Sequence, residues 1–134
     1  MLLIKLPHLD SWTQQRQSNA AYYDEQFAGH GLSSRVATPT VSTGKRHIYN
    51  QYVLRVHERD QLRAHLQKAN IGTEIYYPIP LHLQDCFSTL GYKKGDCPAA
   101  EQAADETVDL PVYPELTREQ QDVVVSSIEG YYKG

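Results

Sequence analysis

The sequence predicts an α+β domain in which about four helices flank a small, mostly antiparallel sheet of about three strands. Helical and extended stretches alternate along the 134 residues. The extended stretches are few and short, and one of them carries a proline, which favours a sheet edge. These features fit helices layered on a small sheet better than a large doubly wound sheet. The length suits a single domain with one modest core.

The first half of the chain predicts a helix, a loop and a strand. The helix covers about residues 9–27, and Gly29 and Gly31 end it by offering positive φ. Residues 30–45 are rich in Ser, Thr, Gly and Pro and predict a loop, and a strand follows at about 46–56. One helix stripe is expected from Leu9, Trp12, Arg16, Ala20, Tyr23 and Phe27, and one strand face from Ile48, Asn50, Tyr52, Leu54 and Val56.

The second half predicts three more helices and two short strands. A helix over 58–69 would bury Leu62, Leu66 and Ala69, and a third helix begins near Pro98, which is tolerated in a first turn. The last helix follows the capping-box pattern Thr117–Gln120. Its buried side is expected from Val124, Ile128 and Tyr131. The remaining predicted elements are short strands at 73–77 and 108–112 and a helical turn within 83–90.

Composition excludes several classes of function. The net charge of −3 gives no electrostatic basis for binding nucleic acid or an anionic membrane. The apolar run Met1–Ile4 is interrupted by Lys5 and is too short for a membrane span. Cys86 and Cys97 form no CxxC motif, so a reduced cytoplasmic setting is expected.

Motifs of common catalytic sites are also missing from the sequence. There is no P-loop, GxGxxG, HExxH or GxSxG. The six histidines are scattered, and no pair has the i,i+4 spacing of a metal site on an evident helix. The acidic residues Asp105, Glu106 and Asp109 are interpreted as a solvated helix end.

The stretch Tyr76–Gln84 combines stiff backbone with polar-tipped side chains. Pro78 and Pro80 fix φ near about −65° and lack an N–H donor. Each proline pushes the residue before it, Tyr77 or Ile79, towards extended geometry. Little entropy is lost when a ligand meets such a rigid surface, which favours a binding site. The alternative is a proline-rich connection whose tyrosines only pack.

Seven blocks of sequence occur in an order typical of one enzyme family. The most specific is Ile71–Gln84, and the others are Lys5–Trp12, His47–Val53, Arg59–Leu62, Leu90–Tyr92, Pro98–Glu101 and Leu110–Thr117. Together they resemble the C-terminal third of the DegT/DnrJ/StrS sugar aminotransferases. The resemblance covers nearly the whole chain, and the blocks together are far more specific than any one alone.

The resemblance implies the small domain of a pyridoxal-phosphate (PLP) enzyme of aminotransferase fold type I. Residues 1–134 are then a single C-terminal domain, and the parent reaction transfers an amino group from glutamate to a keto sugar nucleotide. The family's N-terminal domain binds PLP and carries the Schiff-base lysine, and none of the six lysines of this chain lies in that block. We therefore expect that the N-terminal domain is absent, that the isolated fragment binds no PLP and that it is inactive. The parent is expected to be a cytoplasmic homodimer.

The resemblance also implies that Tyr76, Tyr77 and His82 bind the nucleotide-sugar substrate. The family often has histidine at the position of Tyr76 and tyrosine at that of Tyr77, and this pair lies at the mouth of the active site. Tyr76 keeps hydrogen bonding but does not titrate near neutrality. No residue is assigned to catalysis, cofactor or metal. The alternative function is a stand-alone, non-catalytic interaction or regulatory module derived from this domain.

Overall fold

The computed structural model describes residues 2–134 and confirms the α+β class. Its helices and strands, in chain order, are α1 (Leu2–Lys5), α2 (Leu9–Gly29), β1 (Tyr52–Arg55), α3 (Arg59–Lys68), α4 (Pro98–Glu106), β2 (Thr107–Leu110) and α5 (Arg118–Lys133). Four short 3-10 helices join them at Leu6–His8, Leu32–Ser34, Leu81–Leu83 and Asp85–Leu90. The four predicted helices are therefore present, with a single further turn before the first.

The sheet is smaller than predicted, with two strands instead of three. β1 and β2 pair antiparallel, with Tyr52 opposite Leu110 at one end of the ladder. The predicted strand at 73–77 is reduced to one bridge, in which Glu74 exchanges backbone hydrogen bonds of 2.8 and 3.3 Å with Asp109. The prolines that follow cannot donate to a ladder, so the pairing stops there.

The predicted strand at 46–56 is correct only from Tyr52 onward. Residues 46–51 are irregular because β2 offers only four residues for pairing. The expected alternation holds inside the sheet, where Tyr52, Leu54 and Val56 are buried. It fails before the sheet, where Ile48 is exposed.

The core lies where α2, α3 and α5 meet the sheet. Its fully buried side chains include Tyr23, Phe27, Tyr52, Leu54, Leu62, Leu66, Val108, Leu110, Val125 and Ile128. The two buried tyrosines keep their hydroxyls satisfied: Tyr52 donates to Asp24 Oδ1 at 2.6 Å, and Tyr23 to the carbonyl of Pro111 at 3.1 Å. Burial raises the pKa of both phenols, so they remain neutral donors.

Polar side chains join α2 to α5 across the length of the sequence. Gln121 is fully buried and donates from Nε2 to the carbonyl of Asn19 at 2.9 Å. Asn19 in turn donates from Nδ2 to the carbonyl of Tyr113, also at 2.9 Å. These bonds satisfy polar groups that burial would otherwise penalise. These bonds therefore hold α2 and α5 together, although the two helices lie far apart in the sequence.

Local predictions for the helices are confirmed in part. Thr117 and Gln120 form the capping box at the start of α5, and Gly31 has a φ of 71° just after α2. The stripe predicted for α2 is wrong at Leu9, which is exposed. Ala69 is exposed as well, because α3 ends at Lys68.

No helix within residues 2–134 is both long and apolar enough to cross a membrane.

Candidate functional site

The tyrosine segment, residues 76–84, leaves the sheet edge directly after the bridge at Glu74. The prolines keep it extended until the 3-10 turn Leu81–Leu83, and Pro80 itself has φ −56° and ψ 144°. The peptide bond between Tyr76 and Tyr77 is cis. The two side chains are 46% and 74% exposed, respectively, and their rings meet edge to face with centroids 6.1 Å apart.

Helix α4, together with the first residue of β2, presents a wall of small side chains opposite this segment. We call it the alanine wall; it consists of Ala100, Ala103, Ala104 and Thr107. The Thr107 hydroxyl donates to the carbonyl of Ala103 at 2.7 Å, so this wall is mostly apolar. Small side chains let a helix approach a neighbour closely, but here they leave open space.

The tyrosine segment and the alanine wall enclose a groove of about 540 Å³. The facing side is lined by Tyr76, Tyr77, Ile79, Pro80, Leu81 and Gln84. Within residues 2–134 we find no hydrogen bond from the hydroxyl of Tyr76 or Tyr77, so both phenols are available to a ligand. An apolar cleft with a few polar tips suits a flat ring that carries hydrogen-bonding groups.

The structure brings only two of the three predicted site residues together. Tyr76 and Tyr77 share the groove, whereas His82 is turned away from it. The His82 side chain is 8% exposed, and its Nε2 lies 3.0 Å from Glu101 Oε1. Its ring also meets the ring of Tyr92 edge to face. The predicted substrate contact of His82 has no support from this placement and stays a prediction.

Glu101, which the sequence analysis passed over, binds several donors. Its carboxylate accepts the backbone N–H of Gly95 at 2.8 and 3.0 Å and that of Cys97 at 3.3 Å, besides His82. The Gly95 N–H, with smaller effects of His82 and Cys97, lowers the pKa of Glu101. The sequence did contain a signal for this role, because Glu101 lies in the first turn of the helix that begins at Pro98. A carboxylate there can accept hydrogen bonds from backbone N–H groups that have no partner within the helix.

The acidic residues at the end of α4 do not form a solvated group as expected. Glu106 pairs with Arg55 Nε at 2.9 Å. Asp109 is half-buried and accepts the backbone N–H of Tyr52 at 2.7 Å. Burial raises its pKa to about 6. Within residues 2–134 no cluster of three or more His, Cys, Asp or Glu is placed to hold a metal ion.

The residues present do not by themselves fit PLP. All six lysines of the chain are exposed, whereas a Schiff-base lysine needs a desolvated or cationic setting that lowers its pKa. Lys94 is the lysine that lines a cavity near the tyrosine segment, and this cavity also contains the carboxylates of Glu101 and Asp105. Two negative charges disfavour the phosphate group of the cofactor.

Comparison with known proteins shows which family has this fold. The model of the DegT/DnrJ/EryC1/StrS aminotransferase family matches residues 1–129, and the chain belongs to this family. The predicted family resemblance is thereby confirmed.

Three known proteins show how the chain relates to the family. It is 45% identical to a pleiotropic regulatory protein of Geobacillus stearothermophilus, over 99% of the chain and 36% of that protein. It is 37% identical to the dTDP-3-amino-3,6-dideoxy-alpha-D-galactopyranose transaminase of Aneurinibacillus thermoaerophilus, over 98% of the chain and 34% of the enzyme. The crystal structure of S. venezuelae DesV in complex with a ketimine intermediate superimposes with a TM-score of 0.92 at 31% identity, covering 99% of the chain and 35% of DesV. The chain thus spans about a third of these proteins.

Proposed function

We propose that the chain is the C-terminal domain of a PLP-dependent nucleotide-sugar aminotransferase and forms part of the substrate site. The parent enzyme would move an amino group from glutamate to a keto sugar linked to a nucleoside diphosphate. PLP carries the chemistry in such enzymes, and an N-terminal domain would hold it. Family membership, the one-third coverage and the exposed lysines support this division of labour.

The groove between the tyrosine segment and the alanine wall is the observation that carries the proposal. Its rigid tyrosine side offers two free phenols that can donate to a phosphate or sugar oxygen. Its apolar side accepts the face of a ring. The 540 Å³ of open space falls within the range of small-molecule sites, which is roughly 300–1,000 Å³. His82 would support this site from behind the tyrosine segment.

Exposed aliphatic side chains support a docked partner domain. Leu3, Ile4, Leu6 and Leu9 lie close together in sequence, and each is more than half exposed. Exposed aliphatic side chains that cluster in this way mark a candidate interface. In the parent it would pack against the cofactor domain, and the homodimer of the parent would complete the active site.

A single hydroxyl tests the proposal in the parent enzyme. Tyr77→Phe removes one phenol oxygen and keeps the ring. If that hydroxyl bonds the nucleotide sugar, kcat/KM falls by about 2- to 12-fold, which corresponds to 0.5–1.5 kcal/mol, and by more if the acceptor is charged. The affinity for PLP should not change.

The matched control is Tyr113→Phe. Tyr113 is about as exposed as Tyr76 but lies outside the groove. Steady-state kinetics and thermal melts are measured on both variants. An unchanged kcat/KM in Tyr77→Phe would remove Tyr77 from the substrate site.

A stand-alone regulatory module is the second candidate function. Its regulatory part is favoured by the name of the 45% identical relative, a pleiotropic regulatory protein, which is itself about three times as long as this chain. The size of the native protein separates the two candidates. An immunoblot or intact-mass measurement that shows a polypeptide about three times as long excludes the stand-alone module, and a product of 15.3 kDa supports it.

A further inference from the structure

We propose that Glu101, acting with His82, is a positioning residue that sets the width of the groove. Glu101 would do so by holding residues 82–97, which we call the strap, against α4. The hydrogen bonds of Glu101 with His82, Gly95 and Cys97 are together called the lock. The inference deepens the proposed function, and its kinetic part rests on that function. Neither residue needs to touch the substrate for this role.

One carboxylate fastens the strap at both ends. Glu101 Oε1 meets His82 Nε2 at 3.0 Å near the start of the strap and the N–H of Gly95 at 2.8 Å near its end. Cys97 adds a longer bond of 3.3 Å from the residue just before α4. Between these points the strap is built only from 3-10 turns and loops. It therefore has little regular structure to hold it in place without the carboxylate.

The bond between the two side chains, His82 and Glu101, is largely shielded from water, whereas the bonds from Gly95 lie at the surface. The side chains of His82 and Glu101 are 8% and 13% exposed, respectively. Bonds to a carboxylate are stronger than neutral ones, and shielding from water strengthens them further. His82 does not line the groove, and its ring meets the ring of Tyr92 edge to face.

The lock lies where the two sides of the groove come together. Ala100 of the alanine wall directly precedes Glu101, and Leu81 of the tyrosine segment directly precedes His82. A change in the distance between Glu101 and His82 therefore moves one side of the groove relative to the other. Loss of the lock would widen the groove and weaken ground-state binding, which raises KM more than it lowers kcat.

Glu101→Gln is the variant that tests the lock in the parent enzyme, with Asp105→Asn as its control. Glutamine keeps the size of the side chain but loses the charge and gains an NH2 group that faces other donors. Asp105 is an exposed carboxylate one turn further along α4. Hydrogen exchange followed by mass spectrometry measures the strap peptide that contains Gly95 and Cys97. We expect about tenfold faster exchange in Glu101→Gln and unchanged exchange in Asp105→Asn.

Steady-state kinetics then test whether loss of the lock weakens substrate binding in the groove. We expect Glu101→Gln to raise KM for the nucleotide sugar about three- to tenfold with kcat within about twofold, whereas Asp105→Asn leaves both unchanged. His82→Gln and the double variant complete a thermodynamic cycle. If His82 acts through Glu101, the two effects on KM are less than additive.

The outcomes separate the lock from the proposed function. Unchanged exchange in Glu101→Gln overturns the lock, as does full additivity of Glu101→Gln and His82→Gln. Faster exchange with an unchanged KM overturns the control of groove width. If Tyr77→Phe is also without effect, the proposed contact of Tyr77 with the substrate has failed as well. Faster exchange, raised KM and non-additivity together support the inference.

Discussion

Arg59 is the side chain whose removal should damage the domain most directly. It is 7% exposed, and its Nη1 donates at 2.9 Å to the carbonyls of both Ala104 and Thr107. These carbonyls lie at the junction of α4 and β2, where the helix ends and leaves acceptors without intrahelical partners. Arg59 therefore closes the end of the helix that forms the alanine wall.

The structure gives the expected cost of Arg59→Met. Methionine fills a similar volume but donates nothing, so two carbonyls lose a charged donor. At about 1.5 kcal/mol for each lost bond, the free energy of unfolding falls by about 3 kcal/mol. The pair with Asp60 adds little, because the Asp60 side chain is 79% exposed. In a domain of this size the loss lowers Tm by roughly 10 °C.

Urea denaturation followed by circular dichroism measures this cost. Arg63→Met is the matched control, since Arg63 lies one turn further along α3 and is half-buried. We expect the control to change the free energy of unfolding by less than about 0.5 kcal/mol. A similarly small change in Arg59→Met, or an equal loss in both variants, would refute the assignment of Arg59 as the cap of α4.

Two further predictions concern pH and helix capping. Burial raises the pKa of Asp109 in the folded protein to about 6, above its ordinary value of 3.8. The folded state therefore favours the protonated form, and the free energy of unfolding falls as pH rises between about 4 and 6. Asp109→Asn removes this titration, so the free energy of unfolding should fall less over that range in the variant. Urea melts at pH 4 and pH 7 measure this, and a stronger pH dependence in the variant than in the wild type would contradict it. Thr117→Ala should cost about 1 kcal/mol in a urea melt at pH 7, because it removes the acceptor for the Gln120 N–H; Thr117→Asp should keep most of the stability, and equal losses in the two variants would argue against the capping box.

The elements that the sequence predicted well are those determined by neighbouring residues. The capping box at Thr117 lies within four residues, and the stiffness of the tyrosine segment comes from its own prolines. Leu62 and Leu66 of α3 follow a simple helical repeat and are buried as expected. In each case the information needed lies within one or two turns of chain.

The sequence does not reveal the features that a distant partner decides. The alternation at residues 46–51 is that of a strand, but it does not reveal whether another strand pairs with it, and β2 pairs only from Tyr52 onward. Likewise, Asn19 is buried in α2 because it bonds the carbonyl of Tyr113, far along the chain. In the site, the bond between His82 and Glu101 spans 19 residues. A histidine on a rigid segment suggested a ligand contact, and no local pattern indicated its acidic partner.

The bonds between α2 and α5 determine when the domain can fold. Gln121 and Asn19 are separated by 102 residues, so the core closes only after the last helix is present. Such distant pairing slows folding, because a long loop must be ordered before the contact forms. During synthesis the apolar face of α2 therefore stays partly exposed to solvent until α5 has left the ribosome. A chain that stops before Arg118 lacks Val124, Val125 and Ile128, three buried side chains of the core, which makes it a target for chaperones and proteases.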